Sequence, residues 1–214
     1  MPSPTPATRP VLWIATTNRG KTREFKLLLG ARWRVKDLHS FPQLPEIRET
    51  GKTFRDNASL KALALSRALP GRLILADDSG LVVPALGGRP GVRSARFSGP
   101  QATPEKNRAK LLRLMRRVTG LGRKAFFQAA LVLALNGRVL AIQYGRVWGQ
   151  ITTEERGVGG FGYDSIFQPR GLKQTFGELS AATKKRISHR AAALCAMKSS
   201  LSRNKLISAE QKHI

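Results

Sequence analysis

Cysteine is almost missing from this chain: Cys195 is the only one in 214 residues. A lone cysteine excludes any disulfide within the chain and agrees with a reducing compartment such as the cytoplasm. It stands in the apolar helical run AAALCAMK, which predicts a small buried hydrophobe rather than a nucleophile. Long hydrophobic runs are missing too. No stretch approaches the roughly 18 apolar residues of a membrane span, and MPSPTPATRP carries no apolar core of the signal-peptide kind. No internal repeat and no low-complexity linker interrupts the sequence.

Acids are scarce. Thirteen Asp and Glu stand against 38 Lys and Arg, a formal charge of +25. A field this basic attracts polyanions, either nucleic acid or nucleotides. It also fits a surface kept soluble by spread charge, since the cations run along the whole chain and gather in no tail. Outside GGFGYD the cations lack the aromatic interleaving of an RNA-recognition surface. Nucleic-acid binding is therefore left open by the charge but not favoured. What the composition does supply is a core: 41% hydrophobic residues over this length need no disulfide or metal staple.

VLWIAT (11–16) reads as a buried strand and KTREFKLLLG as the helix after it, with Phe25, Leu28 and Leu29 on one face and Gly30 as the stop. In ETGKTFRDNASLKALALSRALPG (49–71), Thr53 followed by Asp56 predicts a capping box. Phe54, Ala58, Ala62 and Leu65 form the apolar stripe, and Pro70-Gly71 ends it. RLILAD is the next buried strand, DDSG its closing turn, and LVVPAL a second extended piece. GGRPGVRSARFSG (87–99) reads as a loop. Thr103 and Pro104 open a helix whose inner face is Leu111, Leu114, Met115 and Val118. Asn136-Gly137 between two apolar runs predicts a two-residue type I′ hairpin. GVGGFGYDSIFQP (157–169) is a glycine-rich loop carrying aromatics. The tail is helical, with Ser188 as cap of its last segment. Strand–helix units plus an antiparallel hairpin predict an α/β fold with a mixed sheet.

Four stretches carry chemistry. ATTNRGKT (15–22) follows a strand and opens a helix, so backbone N–H groups and the helix dipole favour an anion there. It misses the P-loop pattern because Ala15 stands where the first glycine belongs, which weakens a kinase reading. Lys21 supplies a point charge, and Asn18 bonds either a phosphate oxygen or its own loop. LILADDSG ends in two carboxylates. Neighbouring strand residues point to opposite faces, so one of Asp77 and Asp78 faces a metal or water while the other holds the turn. Hard oxygen ligands suit Mg²⁺. In GGFGYD, Phe161 and Tyr163 offer rings to a base, or they are core aromatics of a turn. In KKRISHR, Arg190 suits a base carbonyl or phosphate and His189 a base, or the stretch is a solvated basic helix start.

Taken in order, ATTNRGKTREF, ETGKTFRDNASLKA, LADDSGLVVPALGGRPGVRSARFSG, GGFGYDSIF and KKRISHR resemble the inosine triphosphate pyrophosphatase family, over residues 11–197. The resemblance implies Mg²⁺-dependent hydrolysis of ITP, dITP and XTP to the monophosphate and pyrophosphate. It implies an elongated mixed β-sheet with flanking helices, two lobes around a central substrate cleft, and a homodimer. Residues 1–10 would then be a flexible leader, 11–201 a single two-lobed domain, and 202–214 a tail. Carried over, Thr16, Thr17, Asn18, Arg19, Gly20 and Lys21 would grip the triphosphate. Glu49 and Asp78 would serve the metal, with Asp78 as the catalytic base. Ser79 would touch the substrate, and Phe161, Gly162, Tyr163, Asp164, Lys184, His189 and Arg190 would bind it on its base side. Three residues depart from the family pattern: Thr17 and Ala191 replace glycine, and Ser165 replaces proline. The alternative is a basic RNA- or DNA-associated protein on the same fold without this activity.

Overall fold

The computed structural model describes residues 9–40 and 47–204; most of the expected leader and tail lies outside them. Six strands form one sheet: β1 (Val11–Ile14), β2 (Arg34–Asp37), β3 (Ile74–Val82), β4 (Lys124–Leu135), β5 (Arg138–Ile151) and β6 (Phe167–Pro169). Their order is β2-β1-β3-β4-β5-β6. β1 pairs in parallel with β2 and β3, whereas β5 and β6 are antiparallel, so the sheet is mixed as expected. The helices are α1 (Arg19–Leu29), α2 (Phe54–Ala68), α3 (Pro104–Leu114), α4 (Ala181–Ile187) and α5 (His189–Arg203).

The chain divides into two compact units. One holds the described residues up to Asp78, Ala130–Tyr144 and those from Ala193 onward; the other holds Ser79–Ala129 and Gly145–Ala192. In the first unit Leu12, Ile14, Phe25, Ala58, Ala62, Leu65, Ile74 and Leu75 are fully or almost fully buried. The apolar runs of β1 and β3, Phe25 of α1 and the stripe of α2 supply them. In the second unit, Leu81, Val83, Leu111, Met115, Phe127, Ile166, Phe167 and Phe176 belong to one core. Phe127 meets Phe167 edge-on at 4.7 Å between ring centroids, a geometry that aligns positive ring edge with negative ring face.

Local chemistry sets several boundaries. Thr53 Oγ accepts from Asp56 N–H while the Asp56 carboxylate accepts from Thr53 N–H, the reciprocal capping box. Asn136 and Gly137 both have positive φ, 49° and 73°, the geometry a type I′ turn needs. Ser188 Oγ accepts from Ala191 N–H at 3.1 Å and opens α5.

Three expectations are corrected. DDSG does not close its strand, because β3 runs unbroken to Val82. Its later residues find a partner in Ser94, whose Oγ accepts from Leu81 N–H at 2.9 Å. Gly80 makes that approach feasible, since a Cβ there would fall 2.2 Å from Ser94 Oγ. Leu114 is 36% exposed; α3 ends there, so only Leu111 and Met115 are fully buried. Cys195 is exposed, because α5 buries Ala193, Leu194, Met197 and Leu201, a stripe that passes beside it.

The capping box gives a direct test. Thr53→Ala should lower the unfolding free energy by about 1 kcal/mol, read from urea denaturation midpoints at constant slope, while Thr53→Ser should restore most of it.

Candidate active site

In the first unit the loop between β1 and α1 is built by its own side chains. Thr16 Oγ1 accepts from Asn18 N–H at 3.1 Å. Asn18 Oδ1 then accepts from the N–H groups of Gly20 and Lys21 at 2.9 and 3.1 Å, capping α1. Of the two roles open to Asn18, the structure shows bonding to its own loop. Thr17 and Arg19 are exposed, and the Thr17 carbonyl accepts from His39 Nε2 at 2.9 Å. Among the described residues Asn136 is the only non-glycine with positive φ, so Thr17 stands where a glycine is usual without left-handed strain.

Lys21 reaches from α1 to the end of the apolar half of β3. Its Nζ lies 2.9 Å from Asp77 Oδ2. A second ammonium stands beside it. Lys61 Nζ, from α2, donates to Glu49 Oε1 at 2.8 Å and to the Asp77 carbonyl at 2.8 Å, and lies 3.7 Å from Asp78 Oδ1. Asp77 and Asp78 leave the extended strand on opposite faces. Asp77 is thus committed to Lys21, and no turn is held by either. Asn57 completes the frame: its Oδ1 accepts from Gly51 N–H at 2.7 Å and its Nδ2 donates to Asp78 Oδ2 at 3.1 Å.

Burial pushes the Asp78 carboxyl above its usual range. Lys61 and Lys21 oppose that shift, and the charges of Glu49 and Asp77 add to it. A carboxylate so placed takes up a proton more readily than an ordinary aspartate.

Among the described residues no group of three His, Cys, Asp or Glu is disposed to hold a metal. Mg²⁺, however, uses one or two carboxylates and completes its shell with water and substrate phosphates. Glu49 and Asp78 meet that requirement. Lys61 Nζ sits near an oxygen of each.

In the second unit a different set gathers. Asp164 Oδ2 accepts from Phe161 N–H at 2.7 Å and from Lys184 Nζ at 2.5 Å. It therefore holds the glycine-rich loop closed while fixing the lysine. Gly160 permits this fold: a Cβ there would lie 2.1 Å from Asp164 Oδ2. Gly162 has φ 64°, and its carbonyl accepts from Arg108 Nη1 at 2.9 Å. The Lys184 ammonium and the Arg190 guanidinium both lie over the Phe161 ring, at 4.8 and 5.3 Å. Arg190 Nη2 donates to Ser79 Oγ at 2.6 Å. His189 is buried and stacks on Phe127 at 4.9 Å. Tyr163 points into the core, where its hydroxyl donates to the Ser94 carbonyl at 2.8 Å and burial raises its pKa. Ser165 Oγ donates to Glu155 Oε2 at 3.0 Å, a tie that a proline there would lack.

The structure thus brings Lys21, Glu49 and Asp78 together in one unit. It brings Ser79, Phe161, Asp164, Lys184 and Arg190 together in the other. Sequence reasoning missed Lys61, Asn57 and Arg108. The first two had a signal: polar residues four apart on α2, directly beside its apolar stripe, belong to a face turned inward. Arg108 had none, since Glu155 and Gly162, to which it donates, lie far along the chain.

Residues 12–200 match the Ham1 family. A dITP/XTP pyrophosphatase of Geobacillus kaustophilus is 50% identical over 182 residues, 85% of this chain and 89% of that protein. A dITP/XTP pyrophosphatase of Bacillus licheniformis is 46% identical over 85% of this chain and 92% of its own length. Among solved structures, the Staphylococcus aureus Ham1 protein superposes with a TM-score of 0.79 at 35% identity, covering 91% of this chain and all of that one.

The raised Asp78 pKa fixes the sign of a stability effect. A carboxyl with a folded-state pKa above its unfolded value contributes stability that is fully present below the unfolded pKa. That contribution is lost as pH rises through the folded pKa. Asparagine cannot ionise and so keeps it. In metal-free buffer Asp78→Asn should melt above the parent protein at pH 8, and the gap should close as pH falls toward 4, read by circular dichroism.

Proposed function

Because the chain belongs to the Ham1 family, we propose that it hydrolyses deaminated purine nucleoside triphosphates, ITP, dITP and XTP, to the monophosphate and pyrophosphate. The observation that carries this reading is the two-ammonium, three-carboxylate cluster of Lys21, Lys61, Glu49, Asp77 and Asp78 beside a capped helix N-terminus. A triphosphate is polyanionic, and cleavage puts further charge on the departing pyrophosphate. Lys21 and the amino end of α1 bind that charge and Lys61 offsets it, each held in place before substrate arrives. Asp78, less acidic than usual and oriented by Asn57, takes the proton of the attacking water. Bound Mg²⁺, held by Glu49 and Asp78 with phosphate oxygens of the substrate, would supply additional charge neutralisation.

In this reading the base is selected by the second unit. Phe161 stacks on the purine. The cations of Lys184 and Arg190 and the ring of His189 donate hydrogen bonds toward 6-oxo purines. Facing adenine, such donors would lose their partner and meet an amino group instead, which costs binding without any steric clash. We assign the enzyme to the cytoplasm, and to a homodimer in which each protomer carries its own residues for both tasks. No helix among the described residues is long and apolar enough to cross a membrane.

Three measurements test the proposal. Product analysis with Mg²⁺ should show pyrophosphate, and no orthophosphate, released from ITP, dITP and XTP, with kcat/KM about 100-fold or more above that for ATP. Orthophosphate as the product would overturn it. Asp78→Asn should lower kcat by about 100-fold or more with KM for ITP little changed. Sedimentation equilibrium should give twice the chain mass.

A further inference from the structure

The sheet of the second unit has two unlike faces. In the second unit's parts of β4 and β5 the odd positions turn inward: Ala125, Phe127 and Ile151 belong to the core. The even positions turn out: Lys124, Phe126 and Gln128 on β4, and Arg146, Trp148 and Gln150 on β5. Trp148 is 44% exposed, a large ring left in water on a surface strand. Phe126 lies beside it at 4.6 Å between centroids. The Arg146 guanidinium covers both, 4.2 Å from the Phe126 ring and 5.7 Å from Trp148. It is oriented by a hydrogen bond from its Nη2 to Gln128 Oε1 at 2.8 Å. Exposed Arg170 follows β6, its N–H donating to the Trp148 carbonyl at 2.9 Å. Between Lys124 and Ile151 the sequence contains no Asp or Glu.

We propose that this outward face binds single-stranded nucleic acid. Trp148 and Phe126 offer rings on which bases stack, and every base has a face to offer them. Arg146, Lys124 and Arg170 supply cations for phosphates, and Gln150 supplies an amide for a base edge. Three strands span about 10 Å between outer backbones, the room of two or three stacked nucleotides. The aromatic interleaving that the sequence showed only in GGFGYD is present here, but split between two strands, so no single stretch displays it.

A second copy of this chain is the competing occupant. Two such faces brought together about a two-fold axis would set arginine and lysine against arginine and lysine. β4 and β5 carry no acid to offset them, and the protein is already at +25. The face suits a polyanion. It is also separate from the residues assigned to the base. His189 stacks on Phe127, which points inward, whereas Phe126 points outward from the neighbouring position.

The test is fluorescence anisotropy of fluorescein-labelled dT15 and U15 with the full chain, at 50 and 200 mM salt. Binding should be tighter at low salt and tighter than to a 15-base-pair duplex. Trp148→Ala should weaken it about tenfold or more, and Trp148→Phe should retain most of it. Arg146→Gln should weaken it and reduce the salt slope. All three variants should hydrolyse ITP at the parent rate. Absence of binding at 50 mM salt would overturn the proposal. So would equal affinity in Trp148→Ala and the parent, which would assign binding to diffuse charge. If Trp148→Ala instead halves the sedimenting mass and leaves oligonucleotide affinity unchanged, the face belongs to a second copy and the proposal fails.

Discussion

The Lys61 ammonium is the contact on which the rest of the first unit depends. It donates to Glu49 and to the backbone of Asp77, and it stands close to Asp78. Without it, Glu49, Asp77 and Asp78 would be largely unscreened against one another in a region where burial already disfavours charge. Lys21 bears part of that load through Asp77. Because Lys61 rides on α2, the position of that helix fixes the spacing of the acids. The capping box at Thr53 and the Asn57 bonds to Gly51 and Asp78 fix the helix in turn. Carboxylates assembled this way are poised for a cation and costly to keep charged, as expected of a site that gives up stability for function.

The second unit solves a different problem. Its loop must present an aromatic face while cations converge on it. Asp164 does this by accepting from the loop backbone and from Lys184 at once. One carboxylate therefore sets both the loop's shape and the place of the charge. Arg108 supports the arrangement from below through the Gly162 carbonyl and Glu155.

Local rules made much of this legible. The capping box, the Asn-Gly hairpin, the α2 stripe and the capped strand-to-helix loop each depend on residues a few positions apart, and each is present where its pattern stands. What escaped depends on partners distant in sequence. Nothing near DDSG reveals that Ser94 accepts from Leu81 N–H and lets the strand continue. Cys195 looked buried because its neighbours are apolar, yet a helix buries a stripe and leaves the residue beside it in solvent. The residues assigned to the triphosphate stand as a set in ordered motifs. Lys61, which organises them, lay unremarked inside one of those motifs because a lysine in a helix usually belongs to its wet face.

The hairpin at Asn136-Gly137 has a consequence for the length of α2. Asn136 Oδ1 accepts from Gly71 N–H at 2.6 Å, just past the end of α2, and Gly137 N–H donates to Ser66 Oγ at 3.0 Å within it. The helix is thus anchored at its far end as firmly as the capping box anchors its start. One residue more or fewer between those anchors would turn one end by about 100° relative to the other. Asn57 and Lys61 could not both keep their partners. The two anchors thus tolerate a change of surface letter along this segment but not a change in its residue count.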